Sequence, residues 1–231
     1  MKMTLRAFAA LLGYPSAELK AHAAQVAEAI RSEGALPRAE QRRLKPLLER
    51  IATQDLLDQQ ATYSELFDRS RSLSLHLFEH VHGDSRERGQ AMIDLGQQYL
   101  ESGFFLEANE LPDFVPVFLE YASCLAGREA RETLAQPAHV YAALAERLDK
   151  RGSDYAAIFH GLVALSGARP RAEEVALVDD NTPPVDPAID EEWEEAPVTF
   201  GAGAAHEMGG PTGAVARIRA FNRSVAKEAG Q

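Results

Sequence analysis

His76-Leu-Phe-Glu-His80 has the H-x-x-E-H spacing. On a single helix that spacing sets two imidazole ligands on adjacent turns, with a glutamate beside them as the general base of a zinc-dependent hydrolase. His82 or a distant acid such as Glu110 would have to complete the metal site. The same stretch supports a second chemistry, recognition. Leu77-Phe-Glu-His-Val-His-Gly-Asp-Ser-Arg-Glu-Arg-Gly-Gln-Ala-Met92 packs His80, His82, Glu79, Asp84, Glu87, Arg86 and Arg88 into sixteen residues. His76, His80 and His82 have simpler structural roles as well: a partly exposed helix residue for the first, and corner residues bonded to neighbouring backbone and carboxylates for the other two. Histidines beside acids also change charge near neutral pH, so His80 and His82 would tune a contact with a charged partner.

Other catalytic arrangements are missing from the sequence. It has no phosphate-binding Gly-x-x-x-x-Gly-Lys-Ser/Thr loop and no Gly-x-Ser-x-Gly elbow, and Gly209-Gly210-Pro211 follows no strand that would make it a dinucleotide fingerprint. The single cysteine, Cys124, rules out an internal disulfide and a cysteine-rich zinc site. Three residues after Tyr121 on a predicted helix, it is expected to be buried and inert. Basic residues are scattered among acids, so no nucleic-acid groove is visible. No run approaches the roughly 18 apolar residues of a membrane span, and the N-terminus reads as the start of an amphipathic helix, which predicts a soluble, unexported protein.

The elements that must position the polar stretch are helical. Leu5, Phe8, Leu11 and Leu12 recur at helical spacing up to Gly13 and Pro15. Leu19, Ala23, Val26 and Ile30 mark a second helix ending near Gly34. Leu44, Leu47, Leu48 and Ile51 mark a third, which Pro46 should kink or open. Leu56, Leu57, Tyr63, Leu66 and Phe67 precede a polar connection at residues 68–72. Leu73 to Val81 then leads to a corner, where Gly83 can take positive φ and Asp84 or Ser85 can cap the next helix. Met92, Leu95 and Tyr99 line that helix, which stops near Gly103. Phe114, Val117, Phe118, Tyr121 and Leu125 mark the next, opened by residues 110–116. Val140, Leu144 and Leu148 follow Pro137, and Ile158, Phe159, Leu162 and Leu165 form a last helix capped by Ser153 and ended by Gly167. No strand-like alternation is long enough to count. The expected fold is an all-α bundle of about eight helices over residues 1–170.

The net charge of −11 is unevenly placed. Residues 1–172 hold 20 basic and 23 acidic side chains, whereas residues 173–195 hold ten acids and no Lys or Arg. With Pro183, Pro184 and Pro187 and five glycines between 201 and 213, residues 171–231 are expected to form a largely disordered acidic tail. Within it, Trp193, Val198 and Phe200 look like an anchor. Val215, Ile218, Phe221 and Val225 could form a short basic helix.

Tyr63-Ser-Glu-Leu-Phe-Asp-Arg69, the sixteen-residue stretch from Leu77 to Met92, Glu110-Leu-Pro-Asp113, Phe118-Leu-Glu-Tyr121, Asp179-Asp180 and Trp193-Glu-Glu195 together resemble the NarJ family, in order and over residues 5–200. These are assembly chaperones of respiratory nitrate reductase, within the wider TorD/DmsD group of redox-enzyme maturation proteins. The resemblance implies a cytoplasmic, non-enzymatic helical protein that binds the cofactor-free catalytic (alpha) subunit of nitrate reductase, usually by its N-terminal segment. It keeps that subunit competent for insertion of the molybdenum cofactor, supports maturation of its iron–sulfur centre, and delays docking to the membrane subunit. The chaperone itself carries no cofactor and binds no nucleic acid.

The positions expected to contact the client are Phe78, Glu79, His80, His82, Asp84, Arg86, Arg88, Gln90, Glu110, Pro112 and Asp113. Among them Glu79, Asp84, Glu110 and Asp113 are expected to meet basic client residues. The sequence departs from the wider group at Phe114, where a His often stands, so nucleotide binding attributed to that His is not carried over.

Overall fold

Leu5, Phe8, Leu11 and Leu12 share one face of α1 (Lys2–Leu12), and all four are fully buried. The computed structural model describes residues 1–82, 87–107 and 110–178, and every regular element among them is helical. After α1 come α2 (Ala17–Ala21), α3 (Ala23–Glu33), α4 (Arg38–Thr53) and α5 (Leu56–Tyr63), which runs into a π-helical turn, Ser64–Asp68. A 3-10 turn, Arg71–Leu73, leads to α6 (Leu77–His82) and α7 (Glu87–Glu101). The chain continues through α8 (Val115–Cys124), α9 (Gly127–Ala135), α10 (Ala138–Lys150), α11 (Ala156–Ser166) and α12 (Ala172–Ala176). All described residues fall within one unit, Met1–Pro184.

α8 and α11 each bury eight residues, and a helix apolar on nearly every side belongs at the centre of a bundle. α8 packs on α1 and α9, and α11 packs on α10, α9 and α4. Gly161 lets α11 approach α1 closely: a Cβ there would lie 2.8 Å from Cζ of Phe8. Polar clamps hold the remaining elements. Arg50 of α4 grips Asp154 through two 2.7 Å hydrogen bonds and lies 5.1 Å over the Tyr155 ring. The Tyr63 hydroxyl donates to the Leu12 carbonyl at 2.9 Å, and the buried Gln59 amide donates to the carbonyls of Ile51 and Gln54.

The all-α class holds, with twelve α-helices among the described residues instead of about eight. The helix expected from Leu19 to Ile30 is two, divided at His22, whose backbone leaves the helical range while its Nδ1 donates to the Glu18 carbonyl. α9 carries so narrow an apolar stripe (Ala130, Thr133, Leu134) that its periodicity is easily missed. Pro46 lies inside α4 and so does not mark its first turn; Pro46 and Arg42 are both exposed, so water can reach the carbonyl that the proline leaves unbonded. Ser153 does not cap α11 by its side chain: Tyr155 occupies the cap position, and Ser153 contributes its carbonyl to the Ala156 N–H. Cys124 is exposed at the end of α8, contrary to the buried position expected from its spacing, because α8 presents Tyr121, Ala122 and Ser123 to the core.

Gly34 and Gly167 end α3 and α11 with φ of 63° and 70°. Packing continues past residue 170, with Val178 buried and its carbonyl accepting from Arg147 at 2.7 Å. The corner at Gly83, Asp84 and Ser85 and the acidic and basic segments from residue 179 onward, including Trp193 and the helix expected near Phe221, lie outside the described residues.

Candidate functional site

The polar stretch is built around one acid. Asp113 is fully buried in the turn before α8. Its Oδ2 accepts the Phe78 backbone N–H at 3.2 Å, capping the first turn of α6, and its Oδ1 accepts from His76 Nδ1 at 3.1 Å. The backbone on both sides is stitched as well. Leu77 N–H donates to the Asp113 carbonyl at 3.0 Å and Val115 N–H to the Leu75 carbonyl at 2.8 Å, which forms the isolated bridge between His76 and Phe114. The Phe114 ring lies against the His76 imidazole, centroids 5.3 Å apart.

His80 is 2% exposed, and its Nε2 donates to the Ser74 carbonyl at 2.8 Å. His82 is partly exposed, packs its ring against Phe78, and lies 3.9 Å from Glu87. Glu79 accepts from Arg88 at 3.1 Å, tying α6 to α7. Tyr99 of α7 donates its hydroxyl to the Pro112 carbonyl at 2.7 Å and stacks on Tyr121 with centroids 4.3 Å apart. α6, α7 and the turn before α8 are thus one hydrogen-bonded corner, and its buried polar groups serve mainly to shape it.

Beside this corner lies an apolar face. α7 buries only Tyr99 and exposes Ile93 (65%) and Leu100 (51%), with Phe105 (77%) just beyond it and Val81 and Leu111 nearby in the chain. A side chain added at Gly89 or Gly96 of α7 would meet nothing within 4 Å, so the packing of the described residues does not require either glycine. From residue 89 to 127 the chain has six acids and no Lys or Arg. Asp94, Glu101, Glu107 and Glu110 are exposed among them. Burial pushes the Glu120 carboxyl up, Glu110 beside it pushes further, and Arg6 opposes both. An apolar strip in a negative field suits a helix with apolar side chains and basic flanks.

Of the positions singled out from sequence, Gln90 is exposed and bonded to Asp94, Glu110 is exposed, and Phe78, Glu79, His82, Arg88 and Pro112 are partly buried. Asp84 and Arg86 lie outside the described residues. Asp113 does not present its charge outward, because both carboxylate oxygens are used inside the corner. Ser74, Ile93, Leu100 and Phe105 were not anticipated. The signal for the last three was available: they fall off the Met92–Leu95–Tyr99 stripe, in a stretch without bases.

The H-x-x-E-H reading fails on geometry. His76 precedes α6 in the bridge, so the two imidazoles are not on adjacent turns of one helix. Nδ1 of His76 and Nε2 of His80 are engaged inside the corner. Among the described residues no group of three or more His, Cys, Asp or Glu could hold a metal ion. Nor is any described helix long and apolar enough to cross a membrane.

A helical bundle with a preformed corner and an uncovered helix face is built like a binding protein. The sequence model described as nitrate reductase delta subunit matches residues 16–161, and the chain belongs to that family. It is 44% identical over 192 residues to the nitrate reductase molybdenum cofactor assembly chaperone NarJ of Escherichia coli K12, covering 82% of this chain and 81% of that protein. The match to NarJ of E. coli O157:H7 has the same identity and coverage. A solved structure from Archaeoglobus fulgidus, described as a redox enzyme maturation protein, shares the fold with a TM-score of 0.54 at 17% identity, over 73% of this chain and 94% of that one.

Proposed function

We propose that this chain is an assembly chaperone of respiratory nitrate reductase. It binds the cofactor-free catalytic subunit through that subunit's N-terminal segment and holds it ready for molybdenum cofactor insertion before membrane docking. The chaperone works in the cytoplasm, catalyses no reaction, and leaves the cofactor to its client. The name of the E. coli relatives supports the assembly role. The observation that carries the binding mode is the exposure of Ile93 and Leu100 on α7 and of Phe105 just beyond it, set in a stretch with six acids and no base.

On this reading the client helix lays apolar side chains along α7 while Asp94, Glu101, Glu107 and Glu110 face its basic flank. The corner fixed by Asp113, His76 and His80 keeps α6 and the turn before α8 in place, so little ordering is left to be done on binding. The test is calorimetry of the full chain with a synthetic peptide covering the first residues of the cognate catalytic subunit, alongside affinity purification from nitrate-respiring cells. Saturable peptide binding and recovery of the cofactor-free subunit are expected. Absence of both would overturn the proposal.

A further inference from the structure

A second groove lies between α3 and α4, and no residue of α6, α7 or α8 lines it. Its floor is apolar, formed by Ala23, Ala27 and Ile30 from α3 and Leu44 and Leu48 from α4, around a cavity of about 570 Å³. Its rim is basic: Arg31, Arg38, Arg42 and Lys45 line it, and Glu49 is the one acid among the described lining residues. Arg31 pairs with Glu28, and Lys45 pairs with Glu49 at 3.4 Å between two well-exposed side chains. Arg38 and Arg42 are exposed, and neither pairs with an acid among the described residues. The guanidinium that clamps α4 to the rest of the bundle is elsewhere, Arg50 on Asp154, and Arg43 makes only a surface pair with Glu40.

We propose that this groove is a second docking site, taking an acidic amphipathic helix of a partner protein. Lining positions on α4 run from 38 to 52, about 21 Å at 1.5 Å per residue, which matches roughly four turns of a bound helix. The shallow alanine floor admits large apolar side chains, and Arg38 and Arg42 stand where carboxylates on the flank of such a helix would meet them. Although the chain as a whole is acidic, exposed charges beyond about 8 Å are largely screened at physiological salt, so the local basic rim sets the preference. The α7 strip has an acidic setting and this groove a basic one, so the two select oppositely charged helices and can be filled together.

The test uses fluorescence anisotropy of the full chain with a designed helical peptide of roughly 16 residues. Its leucines follow i, i+3, i+4, i+7 spacing with glutamates alongside, and a control replaces every glutamate with lysine. Binding of the glutamate peptide that weakens as salt rises is expected, with little binding of the lysine peptide. An Arg38→Glu, Arg42→Glu variant should bind the glutamate peptide at least about tenfold more weakly while its thermal unfolding is unchanged, because both residues are exposed. A fluorescent form of the client peptide should still bind that variant, which separates failure of this site from failure of the α7 site. Equal affinity for both designed peptides, or for variant and native chain, would overturn the proposal. So would salt-sensitive self-association abolished by the same variant, which would assign the groove to a second copy, or binding to anionic phosphatidylserine vesicles but not to the glutamate peptide.

Discussion

The carboxylate of Asp113 accepts the backbone N–H of Phe78 at 3.2 Å, so that α6 is capped by an acid thirty-five residues further along the chain. The other oxygen holds His76. Asp113→Ala removes the acceptor from both partly buried donors and should cost about 1–3 kcal/mol. Asp113→Asn keeps an acceptor and should cost less. Urea unfolding of the two variants checks the order. Equal, small losses would show that the backbone bridge alone holds the corner.

α1 is capped in the same non-local way, by Glu33, whose carboxylate accepts the N–H groups of Met3 and Thr4 and the Thr4 hydroxyl. Burial pushes this carboxyl up, but the hydrogen bonds from Thr4, Met3 and the terminal amine outweigh it and lower its pKa from 4.5 to about 2. A depressed folded pKa stabilises the fold in full above about pH 4.5, and the contribution is lost as pH falls toward 2. Allowing for solvent screening, Glu33→Gln should cost about 1–2 kcal/mol at pH 7, a cost that shrinks below pH 4.5 and is gone only once the pH is below about 2. The native-minus-variant difference in unfolding free energy, followed from pH 7 downward, measures this. A difference that does not change with pH would contradict it.

Gly161→Ala places a methyl 2.8 Å from Cζ of Phe8, a ring with no exposed surface on which to relieve the clash. Overpacking should outweigh the gain in helix propensity and destabilise the protein by about 1–3 kcal/mol. Phe8→Leu should recover part of that loss in the double variant, which thermal unfolding would show.

Cys124 is exposed, so a thiol reagent should label the native protein in a stoichiometric reaction without unfolding it. Labelling that appears only in denaturant would mean the end of α8 is covered in solution.

Ile93→Asp and Leu100→Asp change exposed positions of α7 and should leave stability within about 0.5 kcal/mol of the native protein. Each should weaken binding of the client peptide by about tenfold or more, since a desolvated carboxylate opposes an apolar contact. Calorimetry beside a thermal melt reads both quantities. Unchanged affinity would move the client away from α7.

Much of the bundle was legible along the chain because its signals are local. The apolar spacing of Leu5, Phe8, Leu11 and Leu12 is a property of one helix, and Gly34, Gly103 and Gly167 take the positive φ that their positions at helix ends suggest. The family could also be recognised from sequence, since the stretch from Leu77 to Met92 is long and its residue types follow no core periodicity. Whether a charged residue in that stretch points outward could not be read in the same way. Asp113 looks like a surface acid in sequence and is buried, because the donors that satisfy it, Phe78 and His76, arrive from thirty-five and thirty-seven residues away.

The same reason explains the failed metal spacing. His76 and His80 stand four apart, yet the bridge to Phe114 holds His76 outside α6, and a pairing between distant segments decides that. Sequence by itself determined the helical class, most helix ends and the family. Tertiary structure alone decided which polar groups are spent on shaping the corner, which apolar residues of α7 are left uncovered, and where α3 and α4 leave a basic groove. Local spacing selects a helix, but only long-range packing assigns each of its faces a neighbour or leaves it to solvent.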